Sequence, residues 1–326
     1  MAYLLSCIST QHSMLKRHWR QTGSTREPQQ DGTQNTECPL TTLGSMQKPE
    51  EDQGGLICLL DPMGKSTKTV KLSMPAGMAI SDNGVLVATP DAIHEVTSDL
   101  SSLQQNVVSL PSFNLLHSLS RTRQGYLVAS TGLDALLEFT REGELLWSWW
   151  ATEHGFTHTP KGERRVLDKS ADHRGVKYGT LAQTTHVNSA AELADGRILA
   201  SLFHQGMVIA IDRDSGDWQP VLEGLDHPHS IRIINEEYFT VADTARGTGL
   251  LVHIDRSNGN IENAVTVDTN WLQDCVYDAC NDCWVMVDGK HSQVSIHAGL
   301  SGDHLQNQFK LDPEWRLYEV LPITVC

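Results

Sequence analysis

Nothing in the 326-residue chain approaches the run of about 18 apolar residues that a membrane-spanning helix requires, so no membrane span is expected. Basic residues are also scarce. Lys and Arg number 25 against 40 Asp and Glu, a formal net charge of −15. A surface with that balance repels phosphate backbones and anionic lipid, which excludes nucleic acid and membrane as expected partners. A small-molecule substrate is the expected ligand. The seven cysteines are odd in number and unevenly spread, so they lay out no disulfide framework. The opening MAYLLSCIST has no basic residue ahead of its apolar run, which a secretory signal needs. Residues 1–26 do combine Lys16, Arg17, Arg20 and Arg26 with no acidic side chain, a composition that resembles a transit peptide. A cytoplasmic location is expected, with an organelle as the alternative. Gly64-Lys65-Ser66 lacks the glycine five positions earlier that a phosphate loop demands; Leu59 stands there.

What is present is a repeat. Residues 1–54 are rich in Gln, Thr, Ser, Glu, Pro and Gly and read as a disordered tail. From Leu56 onward the chain alternates short apolar strands with turns. Units of roughly 40–45 residues start near Gly77, His117, His186, His229 and Asp274. The third unit shows the plan: an extended segment from His186, a turn at Asp195-Gly196, and a return through Ile198-Leu199-Ala200. Each unit then adds two further strands. Four antiparallel strands per unit at this period is the arithmetic of a β-propeller. The C-terminal Arg316–Val320 supplies an inner strand without outer partners, and residues 56–72 supply two outer strands without an inner one. Joined, they close a sixth blade. The fold predicted is therefore an all-β, six-bladed propeller over 55–326, with a seventh blade open if one unit is degenerate.

One connection is longer than the rest. Units two and three start 69 residues apart, and the excess lies at about 150–185, dense in aromatic and charged groups. A long insertion in a compact domain commonly carries function, and this one is expected to form a lid at the channel mouth. Trp150, His173, Arg174 and Tyr178 lie in it.

Inner strands of a propeller run beside the central axis, so equivalent positions converge. A lone histidine at a strand start is commonly a hydrogen-bonded structural residue. Three in register point to one shared site. His117, His186 and His229 are expected to bind a divalent metal (Zn, Fe or Mn) and leave a position open for substrate. Asp274 opens the fifth unit, and Tyr318 and Glu319 lie in the sixth. With His173 and Arg174 these are the candidate acid, base or anion-holding groups. Asn188, Arg121, Trp150, Tyr178 and His204 are the candidate substrate-binding residues. Cys280 and Cys283 flank a predicted turn and read as structural, because no second Cys-x-x-Cys completes a ligand set.

The segment His186-Val187-Asn188-Ser189, its Asp195-Gly196 turn, Ile198-Leu199-Ala200-Ser201 and Ile211-Asp212…Ser215-Gly216 resemble the central repeat of arylsulfotransferase-like propellers. So does Gly143-Glu144-Leu145-Leu146-Trp147-Ser148-Trp149. In that family a channel histidine takes up the sulfuryl group, a role that the resemblance places on His186 with His117 assisting. His227-Pro228-His229-Ser230-Ile231 is similar to blade starts of gluconolactonase-like and strictosidine-synthase-like six-bladed propellers. Together these imply an enzyme acting on a small organic molecule at the channel, by lyase, hydrolase or isomerase chemistry. The alternatives are metal-free group transfer through a channel histidine and a non-catalytic scaffold.

Overall fold

The computed structural model describes residues 2–21, 45–46, 53–61, 63–255 and 258–323. Six four-stranded antiparallel sheets follow one another as the blades of a β-propeller. Blades 1 to 5 run in sequence order, each from its inner to its outer strand. Their inner strands are Met78–Ser81, Leu116–Arg121, Val187–Glu192, Pro228–Ile233 and Leu272–Asp278. Second strands such as Tyr126–Ser130 and Ile198–Leu202 are buried on both faces between neighbouring blades, which is why they read as unbroken apolar runs. Outer strands such as Leu103–Val108 are mostly exposed and correspondingly polar.

Blade 6 closes the ring with strands from both ends of the chain. Its order is Arg316–Pro322, Tyr3–Ser9, Leu56–Leu60 and Ser66–Lys71. The expected closure by C-terminal inner and N-terminal outer strands holds, but the second strand comes from the segment expected to be a tail. All seven residues of Tyr3–Ser9 are buried. The polar composition from Gln21 onward masked an apolar strand that precedes it. A helix, His12–Gln21, follows that strand, and its first turn docks on Glu314. The His12 N–H donates to the Glu314 carbonyl at 2.9 Å, and the Ser13 N–H and hydroxyl donate to the Glu314 carboxylate at 3.1 and 2.6 Å. A carboxylate there complements the unpaired N–H groups of a helix start. The greater part of the expected tail, 22–44 and 47–52, lies outside the described residues.

Blade-to-blade contacts combine apolar packing with a repeated ion pair. Glu95 in the third strand of blade 1 meets Arg141 of blade 2 at 2.6 Å, and the equivalent Glu138 of blade 2 meets Arg213 of blade 3. The 150–185 insertion is pinned by a buried pair between Arg165 and Asp134.

Candidate active site

Strand register decides which side chains share a level in the channel. Leu116, Val187, Pro228 and Leu272 each pair with the last residue of the second strand in their blade: Ser130, Leu202, Asp243 and Asp288. One residue further along, His117, Asn188, His229 and Gln273 therefore form one layer. One residue back, Leu115, His186, His227 and Trp271 form the layer above. Leu115, His186 and His227 all take left-handed backbone conformations, with φ of 51°, 49° and 61°. His186 is thus the counterpart of His227, and Asn188 is the counterpart of His117 and His229. This corrects the expected register of the three histidines. It also lowers Asp274 by one level, to that of Ser118, Ser189 and Ser230.

The lower layer is a structural belt. Side chains in one blade accept backbone N–H groups of the next: Ser118 from Ala190 at 3.3 Å, Ser189 from Ile231 at 3.0 Å, Asp274 from Val320 at 2.7 Å and Glu319 from Met78 at 2.7 Å. Ser230 donates to Asp274. Arg232 stands 3.0 Å from both Asp274 and Glu319, one cation against two carboxyl groups. Burial nevertheless pushes the Glu319 carboxyl up to about 8. Both acids line a small pocket of about 20 Å³, room for about one water. Asn188 reaches the same pocket and accepts from Ser201 Oγ at 2.6 Å.

Above the belt lies a cavity of about 480 Å³. His117, His186, His229, His204, Tyr178 and Tyr318 line it, while Asp274, Glu319 and Asn188 do not. Two of its histidines are set by one local device. The left-handed residue two positions earlier turns its carbonyl toward the ring, so Nδ1 of His117 sits 2.9 Å from Leu115 O and Nδ1 of His229 sits 2.9 Å from His227 O. Nδ1 of His186 meets Gln183 Oε1. With Nδ1–H donating to an oxygen, Nε2 of each ring is the lone-pair nitrogen. Burial holds all three below the ordinary imidazole value, His117 at about 4 and His229 at about 3. They are neutral at pH 7. The His117 ring meets His186 edge-on at 5.1 Å and Tyr318 at 5.7 Å. Phe203 stands against both His186 and His229, with ring centroids 4.7 and 5.4 Å away.

That arrangement does not fit the expected metal centre. Among the described residues, no group of three or more His, Cys, Asp or Glu side chains is placed to hold a metal ion. The offset of His186 by one layer, with Phe203 between it and His229, is the physical reason.

Four other expected residues lie elsewhere. Arg121 is exposed at the far end of its strand and pairs with Asp82 at 3.0 Å. Arg174 is committed to Asp172 on the outer face of the insertion, at 2.6 Å. Trp150 packs in the core around blades 1 and 2, with Lys169 above its ring. His173 is buried as a brace: its Nε2–H donates to Asp168 O at 2.8 Å, and its Nδ1 accepts from the Tyr178 hydroxyl at 2.9 Å. It thereby orients a cavity residue without lining the cavity. The Cys280–Cys283 pair does not act as a unit, since Cys280 is disulfide-bonded and Cys283 is a buried free thiol.

Sequence reasoning missed the upper wall. His12 and Lys16 come from the N-terminal helix, Lys177 from the insertion, Trp271 and Lys290 from blade 5, and Arg316 from blade 6. The His-x-His spacing of 227 and 229 was the visible signal for His227. The cations carried none, because they come from separate loops and ends.

No family model matches the chain, and no curated protein does. Solved structures do. A protein of unknown function from Bacteroides caccae superposes with a TM-score of 0.58 at 14% identity, over 81% of this chain and 93% of its own. A chain of a nidogen/laminin complex gives 0.55 at 9% identity, over 98% and 97%. The periplasmic gluconolactonase of Pseudomonas aeruginosa gives 0.53 at 10%, over 86% and 97%. These likenesses show the β-propeller fold, and they give no specific support to arylsulfotransferase or strictosidine synthase. At such identities they show the fold, and fold does not choose a reaction.

Proposed function

We propose that this protein is an enzyme that moves a proton on a small organic molecule held in the channel cavity, with His229 as the base that takes and returns the proton and His117 as the neighbouring acceptor that positions the substrate. One observation carries the reading. Two neutral imidazoles in one layer have Nδ1–H fixed by a backbone carbonyl, which commits Nε2 as acceptor in side chains that line the cavity.

His229 takes a proton from the substrate at Nε2. The imidazolium that results keeps its Nδ1–H on the His227 carbonyl, a bond that strengthens as the ring gains charge. The His229 imidazolium then returns that proton from Nε2 to a neighbouring atom of the substrate or to its leaving group, while the Nε2 lone pair of His117 accepts a hydrogen bond from a substrate O–H or N–H and sets its position. Tyr318, edge-on to His117, stays a phenol because burial raises it far above its ordinary value, so its O–H can support developing negative charge. Phe203 and Trp271 give the substrate its apolar walls. Proton transfer of this kind serves lyase, isomerase and hydrolase reactions alike.

The test is substrate-agnostic. Wild type, His229→Gln and His117→Gln are each incubated with a small-metabolite extract, and the mixture is followed by mass spectrometry. At least one compound should be consumed by wild type, at a rate lowered by about 10²–10⁴-fold in His229→Gln, the usual worth of a positioned base, and lowered also in His117→Gln. Consumption that both variants match, or an extract that wild type leaves unchanged, would overturn the reading.

A further inference from the structure

The cavity's charge runs against that of the chain. Acidic residues outnumber basic ones 40 to 25, yet Lys16, Lys177, Lys290 and Arg316 line the cavity and, among the described residues, no Asp or Glu does. Outside the cavity, Asp274 and Glu319 are one layer lower and share Arg232, with Glu319 raised to about 8 by burial and so largely uncharged near pH 7, and Asp288 acts on Arg316. From this juxtaposition of four cations with an apolar, histidine-bearing wall we infer that the cavity takes a small organic oxyanion. Its charged end would lie against Arg316 and Lys290, and its planar or apolar body against Phe203 and Trp271. The inference rests on the enzyme reading above and names the substrate class for that same cavity.

Arg316 is the built part of the subsite. Its side chain is buried, and Nη1 donates to the Gly289 carbonyl, which fixes the guanidinium. The guanidinium lies 5.5 Å from the centre of the Trp271 ring. Gly289 is the residue that makes room: a Cβ there would come within 3.3 Å of the guanidinium carbon and 3.1 Å of the Leu317 carbonyl. A fixed planar fork beside an indole face is suited to a carboxylate or phosphate attached to an unsaturated body. Lys290, at the rim, is held by Asn270 Oδ1 at 2.6 Å, so its charge too has a set position.

An anion in this cavity also serves the chemistry. Burial makes protonation of His117 and His229 costly, and the positive charge of Arg316 adds to that cost at His229. A bound oxyanion offsets both, so the rings become better bases when the substrate is present than when the cavity is empty. The titratable groups facing them are His186, His204, His227, Tyr318, Arg316 and the lysines of the wall, none of which supplies that negative charge as a neutral ring, phenol or cation.

Calorimetric titration with three probes tests the inference: 2-naphthoate, its neutral isostere 2-naphthamide, and 2-naphthyl phosphate. Wild type should bind naphthoate or naphthyl phosphate at least tenfold more tightly than naphthamide, and the stronger of the two identifies the oxyanion. Arg316→Met should remove that preference. Because Arg316 also braces Gly289, Lys290→Met provides an independent variant, expected to weaken anion binding at least threefold with naphthamide unaffected. Equal affinity for all three probes, or a preference that survives both variants, would overturn the proposal. The assay reads no turnover, so a protein that prefers the anions but consumes nothing would lose the enzyme reading and keep this one. A protein that consumes neutral compounds would do the reverse.

Discussion

Asp134 holds His186 through its backbone. Oδ1 of the carboxylate accepts the His186 N–H at 2.7 Å, and both residues are buried. The same carboxylate takes the N–H groups of Thr184 and Thr185, at 2.6 and 2.9 Å, and its charge is met by Arg165 of the insertion. His186 needs that hold. Its φ of 49° is a left-handed conformation that a β-carbon disfavours by about 1–2 kcal/mol. Asp134 thus ties a histidine of the cavity to the segment that walls it.

Replacing Asp134 by Asn keeps the size and removes the charge. Arg165 is then buried without its partner, and one oxygen that accepted N–H groups becomes an NH₂ that cannot. The expected loss is about 3–5 kcal/mol, the scale for a broken buried pair, read as a lower urea midpoint with an unchanged slope. A loss under about 1 kcal/mol would refute the assigned role. The carboxyl is held below its ordinary value in the fold. Its contribution is therefore full above the unfolded value and is lost as pH falls through the folded one.

The histidines make a second pH-dependent term, in a higher window. His117 and His229 are depressed to about 4 and about 3 from 6.5. Below pH 6.5 the unfolded chain binds protons that the folded rings refuse, so their contribution is present above 6.5 and declines as pH falls toward 4. At the steepest each group is worth about 1.4 kcal/mol per pH unit. Glu319, raised to about 8, acts in the opposite sense between 4.5 and 8, so the wild-type curve alone mixes the two. The difference between wild type and His229→Gln isolates the histidine. Urea midpoints at pH 7.0 and 5.0 should differ less in the variant than in wild type; equal differences would mean that the ring is not desolvated as described.

Metal uptake offers a sharper discrimination. With His186 one layer above His117 and His229, the three rings do not present a common ligand set. Protein purified without chelator and then offered Zn²⁺, Fe²⁺ or Mn²⁺ should retain well under one equivalent after gel filtration. Whatever it retains should be the same in a His186→Asn variant. Stoichiometric metal that His186→Asn abolishes would restore the three-histidine centre.

Much of the fold was legible because propeller strands announce themselves by alternation and turns. Gln-Gly, Asp-Gly and Ser-Gly turns fall where blades 2 and 3 reverse, and the inner strand starts at 117, 186 and 229 come within a residue or two of the observed ones. The site was legible only to that same precision, and a residue or two was decisive. All three inner strands carry a bulge just past their start, between Leu116 and Leu119, Val187 and Ser189, and His229 and Arg232, so the offset lies in the start itself: His186 precedes the first paired residue of its strand, whereas His117 and His229 follow theirs. A sequence pattern does not fix a strand start to one residue, and that one residue separates His186 from its expected partners. Arg121 illustrates a second limit. It shares an inner strand with His117, but four residues carry it to the opposite end of the channel. Arg316 shows the third: nothing local marks it, since its partners Gly289 and Trp271 are brought to it by ring closure.

Ring closure also yields the test of the N-terminal strand. Leu5 pairs with Val320 on one side and Cys58 on the other, and its side chain is fully buried. Removing that side chain should leave a cavity between the closing blade and its neighbour, so Leu5→Ala is expected to cost about 3 kcal/mol. A disordered tail would lose nothing. Cys7, two residues on, gives a readout without mutation. Its thiol is buried, donates to the Ser9 carbonyl at 2.9 Å, and is pushed up to about 12 by desolvation. Only the thiolate reacts with iodoacetamide, so at pH 8 Cys7 should remain unmodified in the native protein. It should label within minutes once urea opens the blade. Peptide mapping of the labelled protein reads both states, and rapid labelling of Cys7 without denaturant would return residues 3–9 to the tail.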